Sequence, residues 1–118
     1  MGTVHIKRIY EPAEKADGKR ILVDRLWPRG VKKESAQIDE WMKAVAPSDN
    51  LRKLYHQGTL PWDEFKVKYM FELKQNDAVK DLLEIINKNT KVTLLYAARD
   101  EHQNHALVLL QFIDAILK

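Results

Sequence analysis

The spacing of apolar and polar positions changes period along the chain, and each change predicts an element. Val4–Tyr10 mixes β-branched and aromatic residues with partial alternation, which predicts a first strand. Glu11–Lys19 is polar and contains Pro12 and Asp17-Gly18, the chemistry of turns. Arg20–Trp27 is a compact run rich in Ile, Leu and Val and predicts a mostly buried second strand. Pro28 holds Trp27 extended, and Pro28-Arg29-Gly30 then turns the chain. Ile38, Trp41, Met42 and Val45 share one helical face, which predicts a helix stopped by Pro47. Ser48 is placed to cap a short helix holding Leu51, Leu54 and Tyr55, closed by Gly58.

Pro61 falls in the first turn of the next helix, with Asp63 and Glu64 near the positive end of its dipole. Trp62, Phe65, Tyr69 and Leu73 form its apolar stripe. Asn76 caps a further helix with Val79, Leu82, Leu83 and Ile86 inward. Lys91–Ala98 predicts the third strand, and an apolar helix then runs nearly to Lys118. Its Leu107, Leu109, Leu110, Phe112, Ile113, Ile116 and Leu117 cover more than one side, so it packs on two fronts. The order predicts an α/β fold: a small three-layer-like sandwich whose short sheet, of about three strands, is packed by several helices.

At 118 residues the chain is expected to form a single domain, 1–118, with one core. Hydrophobic residues at 45% and charged residues at 31% are too balanced for disorder. The absence of cysteine removes disulfides, thiolate zinc sites and cysteine nucleophiles together. No apolar run is long enough for a membrane span, and MGTVHIKRIY lacks the marks of a signal peptide. A cytoplasmic protein with no membrane partner is therefore expected. Oligomeric state stays open, because the second side of the last helix is covered either by its own chain or by another subunit.

Charge is unevenly placed. Residues 1–33 hold nine Lys/Arg against four Asp/Glu, while the remainder holds eleven against thirteen. A basic third steers anions toward it, although a charge run is equally the mark of a solvated surface.

Two segments concentrate the candidate chemistry. In Asp24-Arg25-Leu26-Trp27-Pro28-Arg29-Gly30, strand alternation sets Leu22, Asp24 and Leu26 on one face and Arg25 on the other. A carboxylate closing an apolar run needs a partner, and Arg29 or Arg99 is expected to supply it. That pair is either a fold-stabilising ion pair or an anchored arginine at a strand end, where open α/β sheets bind ligands. In Tyr96-Ala97-Ala98-Arg99-Asp100-Glu101-His102-Gln103-Asn104-His105, two small residues leave room for a close approach before a helix begins. A helix N-terminus is a ready anion site. Asp100 and Gln103 match a capping-box spacing, which accounts for Asp100 without any ligand.

His102 and His105 stand three apart, and with Asp100 they make a weak metal-ligand pattern lacking a fourth group; no metal is assigned. His105 is read either as a half-buried histidine or as the acid/base group of a site. His56 is explained by the carbonyls at a helix end, and the tryptophans by packing. No phosphate-loop, dinucleotide or serine-elbow motif occurs, so no cofactor is expected.

Four stretches together resemble the YeaO-like branch of DUF488, a bacterial domain family of unknown function. They are RILVDRLWPRG (Arg20–Gly30), AP-S-x-x-LR (Ala46–Arg52), W-x-x-F-x-x-x-Y (Trp62–Tyr69) and LLYAARD-x-x-x-NHA (Leu94–Ala106), and they span nearly the whole chain. The resemblance implies a single-domain cytoplasmic protein and brings no reaction with it. It carries over the polar positions Asp24, Arg25, Arg29, Arg99, Asp100, Asn104 and His105. Longer relatives carry a cysteine-rich pattern near the last strand, where this chain has Tyr96, Arg99 and Asn104-His105, so that thiol chemistry is absent here. A faint likeness to rhodaneses meets the same obstacle, the missing cysteine nucleophile.

Two functions follow as expectations. In the first, a binding or hydrolytic site takes a small anion, a phosphorylated metabolite or nucleotide. Arg29 and Arg99 clamp it, Arg25, Tyr96, Asp100 and Asn104 line it, His105 is the acid/base group, and Asp24 orients an arginine. In the second, a non-catalytic module binds nucleic acid or a protein through Lys7, Arg8, Lys19, Arg20, Lys32 and Lys33.

Overall fold

The computed structural model describes residues 3–117. Four parallel strands form one sheet in the order β1-β4-β2-β3, with β1 at Thr3–Arg8, β2 at Lys19–Leu22, β3 at Glu40–Trp41 and β4 at Lys91–Tyr96. The helices are α1 (Lys33–Ala36), α2 (Asp49–His56), α3 (Trp62–Lys74), α4 (Ala78–Lys88) and α5 (His105–Leu117). The α/β class is as expected, but the sheet has one more strand than the pattern indicated.

That extra strand lies in the segment read as a helix. The spacing of Ile38, Trp41, Met42 and Val45 fits a helical face, yet Glu40–Trp41 pairs with Ile21–Leu22 of β2. The Asp39 and Met42 N–H groups donate to the carbonyls of Arg20 and Leu22 at 2.9 and 2.8 Å, and the Trp41 indole donates to the Asp24 carbonyl at 2.7 Å. A sheet edge offering unpaired carbonyls outweighs a short stretch of helical periodicity, because those carbonyls need donors. A one-turn helix forms earlier, at Lys33–Ala36, and a 3₁₀ turn follows at Lys43–Val45.

The two faces of the sheet are covered differently. Ile21, Val23, Val92, Leu94 and Tyr96 join the residues of α2–α5 in the main core. Leu22 and Leu95, from alternate positions, face a smaller cluster with Ile9 and Ala36, packed by Trp27, Val31 and Ile38. Each fully buried aliphatic side chain contributes about 1.5–3 kcal/mol, so the helical face supplies most of the hydrophobic stability. The second face also holds an ion cluster: Asp17 accepts from Arg20 at 2.6 Å and from Lys7 at 3.0 Å. Arg20 is buried there, and its remaining N–H groups donate to the carbonyls of Ala36 and Gln37.

Local signals largely hold in the helices. Ser48 caps α2, its Oγ accepting from the Leu51 N–H at 3.2 Å, while its own N–H and hydroxyl donate to Glu72 on α3. Phe65, Tyr69 and Leu73 form the buried stripe of α3. The Tyr69 hydroxyl donates to the Val45 carbonyl at 2.6 Å. The Asn76 side chain accepts from the Ala78 N–H at the start of α4. Helix α5 packs on α3 and against β1 and β4, the two fronts its apolar sides predicted. Its described part ends at Leu117, so the reach toward Lys118 lies outside the described residues.

Candidate anion cleft at the strand ends

Strand β2 loses its regular pairing after Leu22, and the chain leaves toward β3; β4 ends at Tyr96, and the chain leaves toward α5. Because β2 and β4 are neighbours with diverging exits, a crevice opens at their carboxyl ends, as parallel sheets favour. It is a cleft of about 290 Å³ lined by Asp24-Arg25-Leu26, Ala46-Pro47, Ala97-Ala98 and Gln103-Asn104-His105, with Arg52, Tyr55 and His56 of α2 and Phe65 of α3. The two small residues closing β4 do leave the room their size suggested.

Asp24 and His105 meet in its wall. The Asp24 Oδ2 accepts from the Ala97 N–H at 3.1 Å, and its Oδ1 lies 3.1 Å from the His105 Nε2. The same Nε2 lies 3.0 Å from the Val23 carbonyl. A carbonyl only accepts, so Nε2 carries the hydrogen of this contact. That hydrogen points to Val23, which leaves the buried Oδ1 of Asp24 without an aligned donor.

The arginines differ from expectation. Asp24 was expected to pair with Arg29 or Arg99; His105 takes that place instead. Arg29 and Arg99 are both exposed, and neither lines the cleft. The Pro28–Gly30 turn carries Arg29 outward, where its carbonyl accepts from the Tyr10 hydroxyl at 2.9 Å. Arg25 was expected on the face opposite Asp24, but strand alternation ends before it, so both line the cleft. Its Nε and Nη2 donate to the carbonyls of Pro47 and Ala46 at 2.9 and 3.3 Å. The second cleft arginine is Arg52, which the motif reading left out although it closes the Ala46–Arg52 stretch. Arg52 Nη2 donates to Asp49 at 2.8 Å, and its Nε is buried with no hydrogen-bond partner.

The start of α5 also departs from the reading. Asn104, not Asp100, caps the helix: its Oδ1 accepts from the Leu107 N–H at 2.8 Å, and its Nδ2 donates to the Asp100 carbonyl. The Asp100 carboxylate accepts from the N–H groups of His102 and Gln103, bonds that hold it below the usual carboxylate range. Asp100 is exposed and outside the cleft. Tyr96 is buried in the main core and does not line the cleft either. Among the described residues, no three ligating side chains come together to hold a metal.

Arg52 bonds to Asp49 and holds its carboxyl low, helped by the charges of Lys53 and Arg25. Burial, then the Asp100 charge, pushes the Tyr55 phenol above its ordinary value, so it stays a neutral hydroxyl at physiological pH.

A family model described as the inactive DUF488-N3 subclade matches residues 3–118. The chain belongs to the DUF488 family. It is 45% identical to the uncharacterised protein YeaO of Escherichia coli K12, over 96% of this chain and 98% of that one. It is 38% identical to the uncharacterised proteins Mb3100c of Mycobacterium bovis and Rv3073c of Mycobacterium tuberculosis, over 94% of this chain and 93% of each of theirs. No solved structure matches the chain significantly. No helix among the described residues is long and apolar enough to cross a membrane.

Proposed function

We propose that this DUF488 protein binds a small organic anion, of the class spanning phosphorylated metabolites, nucleotides and carboxylates, in the cleft between the ends of β2 and β4. The observation that carries this reading is the pair of guanidinium groups, Arg25 and Arg52, on an otherwise largely apolar cleft. Arg52 keeps a buried Nε with no partner among the described residues, a donor that is costly to leave unused. Guanidinium N–H groups suit the planar or trigonal oxygens of carboxylate and phosphate. Arg25 and Arg52 take the roles first given to Arg29 and Arg99. Asp24 serves the cleft by joining the ends of β2 and β4 through the Ala97 N–H, and His105 by tying the end of β2 to α5 through the Val23 carbonyl. Binding without turnover also agrees with the word inactive in the description of the matching subclade.

The nucleic-acid reading draws on a basic third whose charges are partly engaged. Lys7 and Arg20 are tied to Asp17, and Arg8 donates to the carbonyls of Ala97 and Ala98. Only Lys19, Lys32 and Lys33 of the named set remain for it.

Thermal-shift measurements at fixed ionic strength with inorganic phosphate, acetate, benzoate and phenyl phosphate test the proposal. At least one anion raises the melting temperature by mass action. Arg52→Gln weakens that ligand by about tenfold or more, the loss of a charge-assisted bond, while Arg29→Ala and Arg99→Ala leave it unchanged. No stabilisation by any anion, or dependence on Arg29 and Arg99 with indifference to Arg52, overturns it.

A further inference from the structure

Resting on the anion-cleft reading, we infer that the cleft selects a monocarboxylate carried on a compact apolar or aromatic body, and discriminates against phosphate esters. The cleft, at about 290 Å³, lies at the small end of ligand pockets. Its walls are mainly apolar, and Tyr55 stacks on Phe65 with ring centroids 4.4 Å apart, an arrangement that suits a flat body.

The donors left over on the two guanidiniums can serve both oxygens of a carboxylate. Arg25 has committed Nε and one Nη2 hydrogen to carbonyls, and Arg52 has committed Nη2 to Asp49. What remains is Nη1 and one Nη2 hydrogen of Arg25, with Nε, Nη1 and one Nη2 hydrogen of Arg52. A phosphate at a helix N-terminus also needs free main-chain N–H groups. Those of His102 and Gln103 just ahead of α5, and of Leu107 in its first turn, are already taken by Asp100 and Asn104.

Charge points the same way. Asp49 is shared between Arg52 at 2.8 Å and Lys53 at 3.7 Å, so Arg25, Arg52 and Lys53 together stand against the two carboxylates of Asp49 and Asp24. The excess suits a single negative charge. A second charge on the ligand would exceed that balance and stand against the Asp24 carboxylate in the same cleft.

Isothermal titration of the full chain near neutral pH, at fixed ionic strength, compares benzoate, phenyl phosphate and benzamide. Benzoate binds about tenfold more tightly than phenyl phosphate, a difference of roughly 1.4 kcal/mol, and benzamide gives no measurable heat. If phenyl phosphate binds as tightly or more tightly, the carboxylate preference is wrong and the anion cleft stands. If neither anion binds, or benzamide matches benzoate, the anion cleft itself falls. Asp24→Asn supplies an independent arm: removing the opposing charge narrows the preference by about fivefold or more in favour of phenyl phosphate. An unchanged ratio in that variant, with its fold verified by circular dichroism, overturns the charge argument.

Discussion

The Oδ1 of Asp24 lies 3.1 Å from the Nε2 of His105, joining the segment that leaves β2 to the first turn of α5. The contact is a close approach without an aligned hydrogen bond, because the imidazole N–H is directed to the Val23 carbonyl at 3.0 Å. Asp24 therefore stands between a main-chain donor, Ala97, and a ring that serves its own strand. Asp24→Asn keeps an acceptor for Ala97 and sets a buried amide donor beside a ring nitrogen that is itself a donor to Val23, so that two donors meet. Urea unfolding should show a loss of about 1–3 kcal/mol, the cost of a buried polar group left unpaired. A shifted midpoint with an unchanged slope identifies the loss as one of stability. No shift would mean that the contact has no weight in the fold.

Asp17 gives the protein an acid-sensitive joint. Burial by itself would raise its pKa, but the Glu14 N–H, Lys7 and Arg20 outweigh burial and hold it below the ordinary value of 3.8. A lowered folded pKa means stability present above the unfolded value and lost as pH falls through the folded one. Stability curves measured below about pH 4 should decline more steeply for the parent than for Asp17→Asn. Near neutral pH that variant should be weaker by about 3–5 kcal/mol, because Arg20 remains buried without its carboxylate. Parallel acid limbs for the two proteins would remove Asp17 from the account.

Gly18 joins the 3₁₀ turn at Lys15–Asp17 to β2 with φ of +66°. A Cβ there would also collide with the main-chain carbonyl of Lys91 on β4. Left-handed backbone and rigid contact add, so Gly18→Ala should cost more than about 1 kcal/mol, read as a lower melting temperature. Gly30→Ala has open space around its Cβ and should cost less. Equal losses would leave the Lys91 contact without consequence.

The Tyr69 hydroxyl anchors the wall of the cleft through the Val45 carbonyl at 2.6 Å. Burial drives its pKa well above 10.0, so it remains a donor throughout the ordinary range. Tyr69→Phe should lower stability by about 1–2 kcal/mol in urea unfolding, one buried carbonyl having lost its partner. An unaltered midpoint would show that solvent replaces the bond.

Ser48 and the stripe Phe65-Tyr69-Leu73 were legible because capping and helical period act over a few residues. Glu40–Trp41 was misread because its strand depends on carbonyls of Arg20 and Leu22, remote in sequence. Arg25 and Arg29 are four positions apart, yet one lines the cleft and the other faces solvent. Nothing in the spacing separates them, since the strand stops at Leu22 and the turn begins at Pro28. Arg52 was overlooked for a related reason: it comes from a helix whose docking on α3 brings it to the strand ends.

By itself, the sequence determined the α/β class, the Ser48 cap and the α3 stripe, the exclusion of thiol chemistry and the concentration of polar residues at two strand ends. Each of these follows from short-range rules or from composition. Only the tertiary structure decided that Asp24 meets His105, that Arg25 and Arg52 line the cleft in place of Arg29 and Arg99, and that Asn104 caps α5. Those depend on where β2 loses its pairing and how α2 packs, relations between distant segments that no local period encodes.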